Sequence, residues 1–101
     1  MSHNKNIMDK DLENLFLASA EKVKNVSYVT NEDKEFLYGH YKQALFGDNT
    51  TEQPAFYEFT NIYKWNAWMR CKGMPNKLAA YKYISKVEEL LSKDPHGSNN
   101  V

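Results

Sequence analysis

Tyr38, Tyr41 and Lys42 set two phenol rings and one primary ammonium within five residues. On a helix, side chains three and four apart share a face, so these three point roughly the same way. Aromatic faces stack on flat bases, and a lysine ammonium makes charge-assisted hydrogen bonds to phosphate oxygens. The chemistry on offer is recognition of a ligand with a planar ring and phosphates. Lys64 followed by Trp65 repeats the pairing in a second segment. Leu37, Ala44 and Leu45 fall on the adjacent side and are expected to face a core.

Catalytic and metal-binding patterns are poorly supported by comparison. His3 and His96 lie in polar terminal segments, and His40 has neither a CxxC pair nor an HExxH spacing beside it, so no metal site is expected. Cys71 and His40 could be imagined as nucleophile and base, but their separation matches no local signature, and a structural cysteine is the commoner role. There is no Walker loop and no GxGxxG, and the carboxylates are scattered along helix faces. Neither catalytic residues nor a cofactor are expected.

The elements that must position the rings and ammonium groups follow from periodicity. Leu12, Leu15, Phe16, Ser19, Ala20 and Val23 fit one stripe of a helix from about Asp11 to Lys24, capped by Asp9 or Asp11. Thr30 can cap a second helix that begins with Glu32 and Asp33 in its first turn and ends near Phe46, where Gly47 stops it. A long connection runs to Phe59; Phe56, Tyr57 and Phe59 in its second half are expected to press onto the core. A short third helix spans about Asn61 to Lys72, with Trp65, Trp68 and Met69 on its buried side. Gly73 stops it, and Pro75 opens a fourth helix from about Asn76 to Ser92. That helix carries the stripe Ala80, Tyr83, Ile84, Val87, Leu90 and Leu91. Four amphipathic helices with no credible strand make an all-α bundle in which helices one and four pair closely.

Length and composition set the outer limits. A chain of 101 residues is one domain, expected to fold over residues 11–92 between flexible tails, 1–10 and 93–101. The formal net charge is zero, which argues against a nucleic-acid partner, since that binding usually needs a strongly basic field. The single cysteine, Cys71, excludes an internal disulfide and fits a reducing compartment. No apolar run approaches a membrane span, and the N-terminal segment lacks the apolar stretch of a signal peptide. A cytoplasmic chain with no stable membrane insertion is expected.

Several separated motifs agree in order and spacing with one family. They are Tyr38-Gly39-His40-Tyr41-Lys42-Gln43-Ala44, Gly47-Asp48, Pro54, Lys64-Trp65-Asn66-Ala67-Trp68, Lys72-Gly73, Tyr83-Ile84 and Val87-Glu88-Glu89-Leu90. Together they resemble the acyl-CoA-binding protein family over about three-quarters of the chain, from Phe16 to Leu91. The resemblance implies a four-helix bundle of up-down-down-up course and a non-enzymatic carrier of long-chain acyl-CoA thioesters. It also implies roles: Tyr38, Tyr41 and Lys42 meet the nucleotide end, Lys64 pairs with the ribose phosphate, Tyr83 contacts the adenine region and Lys24 is a lesser contact. The site so transferred is Lys24, Tyr38, Gly39, His40, Tyr41, Lys42, Lys64 and Tyr83. The acyl chain would lie in a groove across the bundle, screened from water by the nucleotide. A monomer with transient contacts to membranes or acyl-CoA-using enzymes is the matching expectation for partners.

The chain departs from the family at Thr50 in the Gly-Asp loop, at Ala55 after the proline, and at Thr60-Asn61-Ile62-Tyr63, where many members carry lysines and glycine. Two other classes compete. A helical interaction module would use the aromatic loop Phe56 to Phe59 to take a partner helix, and a nucleotide or RNA binder would use the tyrosines alone. The first does not explain lysines beside Tyr41 and Trp65, and the second conflicts with neutral charge.

Overall fold

The computed structural model describes residues 8–93, and the expectations for His3, His96 and most of both tails lie outside them. Four helices make up the described chain, with no strand: α1 (Lys10–Lys22), α2 (Asn31–Phe46), α3 (Phe59–Met69) and α4 (Asn76–Lys93). A single 3₁₀ turn, Val23–Asn25, closes the first helix earlier than its hydrophobic stripe suggests. At the other end, Met8 packs against the core and the Asp9 carboxylate accepts the Leu12 N–H at 2.8 Å. That bond satisfies one of the orphan donors of the first turn.

Cap chemistry also fixes the start of α2. The Thr30 hydroxyl accepts the Asp33 N–H at 3.0 Å, and the Asp33 carboxylate accepts the Thr30 N–H at 3.1 Å. This reciprocal pair is a capping box. Lys86 of α4 adds an ion pair to Asp33 at 3.2 Å, tying the start of α2 to the second half of α4. At the far end Asn76 donates to the carbonyls of Gln43 and Ala44, at 3.0 and 2.8 Å, so the start of α4 closes the end of α2. The two helices therefore run antiparallel.

The other helix directions follow from cross-links of the same kind. Tyr63 near the start of α3 donates to the Asn31 carbonyl at the start of α2, and Trp68 near its end donates to the Gly47 carbonyl at 2.8 Å. Hence α2 and α3 are parallel, which requires the long connection between them. Lys22 at the end of α1 pairs with Glu88 late in α4 at 3.7 Å, so α1 and α4 are also parallel. The course is up-down-down-up.

The core lies where α1, α2 and α4 meet: Leu12, Phe16, Leu37, Ala44, Ala79, Ala80, Tyr83, Val87 and Leu90. Phe16 and Val87 are wholly buried, each contributing about 1.5–3 kcal/mol over an exposed side chain. Leu15 of α1 and Leu45 of α2, expected to point inward, are solvent-facing; the rest of the first stripe holds, with Leu12, Phe16 and Ser19 buried and Ala20 and Val23 packed against the core.

Two further expectations are corrected. The rings of Phe56, Tyr57 and Phe59 do not press onto the core; they are 82%, 66% and 78% exposed, and Phe56 meets Tyr57 edge to face instead. On α3, only Ala67 is fully buried. Trp65 and Trp68 are half-buried and use their indole N–H groups on the loop, at the carbonyls of Thr51 (3.1 Å) and Gly47 (2.8 Å). A ring whose N–H must find an acceptor sits well at such a boundary.

Candidate functional site

The face of α2 that carries Tyr38, Tyr41 and Lys42 is left partly open between its two neighbours. Tyr41 stacks on Phe16 of α1 with centroids 5.5 Å apart and lies 5.8 Å from Tyr83 of α4. Tyr83 is itself buried and meets Phe16 edge to face at 5.0 Å. Burial, then the neighbouring Tyr41, push its phenol up to about 12, so it stays protonated at neutral pH. These three rings form a wall shared by α1, α2 and α4.

Across the seam with α3, the Lys64 ammonium lies 5.7 Å from the Tyr38 ring centroid. Lys42 follows Tyr38 by four residues on the same face. Its ammonium lies 4.5 Å from the Phe46 centroid and 4.9 Å from that of Trp68. Both ammonium groups thus sit along one seam, α2 against α3, rather than on opposite sides of the molecule. Neither takes part in an ion pair among the described residues, so both are free to meet an anion.

Gly39 and His40 stand apart from this cluster. Gly39 is where α2 and α3 come closest: a Cβ placed there would overlap the Ala67 carbonyl oxygen and lie 2.9 Å from its carbon. His40 stacks on Phe36 at 4.0 Å, and its Nδ1 donates to the Phe36 carbonyl at 2.7 Å. With Cys71, it lines a cavity of about 270 Å³ between α2 and α3, rimmed by Glu32 and the Glu35–Arg70 ion pair. Burial pushes the Cys71 thiol up and the His40 imidazole down. The pair therefore lacks the thiolate that nucleophilic chemistry needs. Lys24, at the 3₁₀ turn, is exposed and pairs with Glu21 at 3.1 Å. Its contacts tie it to α1 and not to the tyrosine–lysine face. Among the described residues no cluster of three or more His, Cys, Asp or Glu side chains could hold a metal ion.

The imidazole has a consequence for stability. His40 is held neutral by burial, with the Lys82 charge adding to the effect and the hydrogen bond to Phe36 opposing it. Its folded pKa lies below the ordinary 6.5, so the unfolded chain takes up the proton first as pH falls. Stability is whole above about pH 6.5 and declines as pH drops toward the folded value. Urea melts at pH 7.5 and 5.5 should show this loss in the native chain, and His40→Gln should remove it; an undiminished loss in the variant would place its origin elsewhere.

Sequence reasoning missed the polar frame that holds the site. Asp48 accepts from Gly73 N–H and from Gln43 Nε2, both at 2.8 Å, and these bonds hold its carboxyl below the usual range. The fully buried Gln43 also donates to the Met74 carbonyl at 2.8 Å. Gly47 and Gly73 adopt φ values of 77° and 88°, which glycine takes without strain, so two helix ends meet over one carboxylate. Asn49 is buried, accepting from the Thr51 N–H and hydroxyl at 2.9 and 2.6 Å. The signal in the sequence was a run of Asn and Asp just after a helix stop, which favours local side-chain-to-backbone bonds.

A family model described as acyl CoA binding protein matches residues 13–87. The chain belongs to that family. It is 41% identical over 83 residues to acyl-CoA-binding domain-containing protein 2 of Oryza sativa subsp. japonica, covering 81% of this chain and 91% of that one. It is 37% identical over 86 residues to the acyl-CoA-binding domain-containing protein 6 homolog of Dictyostelium discoideum, covering 81% of this chain but only 30% of that longer protein. The fold matches the crystal structure of Oryza sativa acyl-CoA-binding protein 2 with a TM-score of 0.78 at 41% identity, over 80% of this chain and 91% of that one. The all-α architecture and family membership expected from the motifs are thereby borne out.

Proposed function

We propose that this chain is a non-enzymatic carrier that binds medium- to long-chain fatty acyl-CoA thioesters, transporting them and buffering their pool. The observation that carries the reading is the convergence of Lys42 and Lys64 on one α2–α3 seam beside Tyr38, in a member of this family. The flat base and phosphates of coenzyme A match rings and ammonium groups in that arrangement, and Tyr41 and Tyr83 extend the aromatic wall toward α4. The reading includes a monomer acting in the cytoplasm without a cofactor, touching membranes or acyl-CoA-using enzymes only transiently. No helix among the described residues is long and apolar enough to cross a membrane.

Calorimetric titration tests it. Palmitoyl-CoA should bind tightly and free coenzyme A far more weakly, while an oligonucleotide gives no heat. Heat with an amphipathic helical peptide and none with palmitoyl-CoA would favour a helix-docking module. The lysines give a second measure. A charge-assisted hydrogen bond contributes about 1.5–3 kcal/mol, so Lys64→Ala should weaken palmitoyl-CoA binding by about ten- to a hundredfold while the bundle still melts cooperatively. Undiminished affinity would remove Lys64 from the site.

A further inference from the structure

Phe46 is the last residue of α2 and is 62% exposed. It takes no part in the core cluster, so packing of the bundle does not account for a phenyl ring there. What it touches is Lys42, four residues earlier, and Trp68 of α3. The two rings stand 6.2 Å apart at 53°, the walls of an open corner. The Lys42 ammonium sits in that corner, within the roughly 6 Å reach of a cation over an aromatic face at both rings. Trp68 cannot swing freely, because its indole N–H is bonded to the Gly47 carbonyl at 2.8 Å.

We propose that Phe46 and Trp68 are positioning residues that hold the Lys42 ammonium at the site for a phosphate group of the ligand. This deepens the acyl-CoA reading and rests on it. A lysine free on its four-carbon stem loses rotamer freedom when it meets an anion, and a lysine already held in a corner loses less. The corner covers two sides of the ammonium and leaves the others for donation, so Lys42 need not leave the rings to bind. The cradle also explains why an exposed aromatic stands at the end of α2: its partner is a charge, and its open side is where the ligand comes.

The test is a double-mutant cycle in the full chain with palmitoyl-CoA as the probe. Phe46→Leu keeps an apolar side chain of similar bulk and removes the ring; it should weaken binding about three- to tenfold with little change in melting temperature. Phe46→Tyr should restore it. In a Lys42→Met background, Phe46→Leu should have no further effect. The Lys42 side-chain methylene protons should show upfield ring-current shifts in the ligand-free chain that relax in Phe46→Leu. Equal affinity of the leucine and tyrosine variants, a tighter leucine variant, or unshifted methylene protons would each overturn the cradle while leaving acyl-CoA binding intact. A native chain that does not bind palmitoyl-CoA at all would overturn both.

Discussion

Across a series of thioesters from free coenzyme A to palmitoyl-CoA, affinity should climb by orders of magnitude and then level off. Each methylene taken out of water contributes at most about 0.8 kcal/mol, close to fourfold in the dissociation constant. Ordering of the chain and lost translational freedom reduce that gain. Even a third of the ceiling over a palmitoyl chain comes to about 4 kcal/mol, approaching a thousandfold. The nucleotide end, with two ammonium groups at about 1.5–3 kcal/mol each and a few ring contacts, contributes selectivity and a share of the affinity comparable with that discounted tail. Calorimetry gives a second signature, since burying the tail should make the heat capacity of binding more negative with each added carbon until the plateau. Equal affinity for coenzyme A and palmitoyl-CoA would show that no apolar surface receives the tail.

Gly39→Ala should cost stability even though intrinsic helix preference argues the reverse. In an unconstrained helix, alanine is favoured over glycine by about 1 kcal/mol. Here the new methyl would overlap the Ala67 carbonyl oxygen and stand 3.3 Å from the Cys71 sulfur. Backbone cannot rotate aside as a side chain can, so α3 must move outward. Overpacking of this kind usually costs about 1–3 kcal/mol, and its upper end outweighs the propensity gain. A net loss near 2 kcal/mol lowers the melting temperature by roughly 8–16 °C in a domain of this size. Because Tyr38 and Lys64 face each other across the same seam, palmitoyl-CoA affinity should fall with it. A variant melting above the native chain would disprove the close approach.

Helix number, order and most boundaries were legible because each helix carries its own local signals. Thr30 with Asp33, Asp9, Gly47 and Gly73 are punctuation that works through bonds within a few residues. The tyrosine–lysine face was legible for the same reason, since spacing alone puts Tyr38 and Lys42 together. What was not legible depends on which neighbour a face meets. Nothing in the run Phe56 to Phe59 says that its rings stay in water, and aromatic content alone pointed inward. The apolar bulk of Trp65 and Trp68 points to the core, whereas their N–H groups decide their place. Gly39 and His40 share a motif with Tyr41 but lie on other sides of the same helix, as the spacing already implies; the close approach of Ala67 to Gly39 depends on how α3 packs and is visible only in the fold.

The parallel course of α1 and α4, fixed by Lys22 against Glu88 and Phe16 against Tyr83, makes the folded segment a pass-through unit. Lys10 and Lys93 open and close it from opposite poles, separated by most of the roughly 27 Å that α4's 18 residues span. Such a unit threads into a longer polypeptide like a bead on a string, with no linker needed to double back. Joining its own two ends would require a bridge along its whole length.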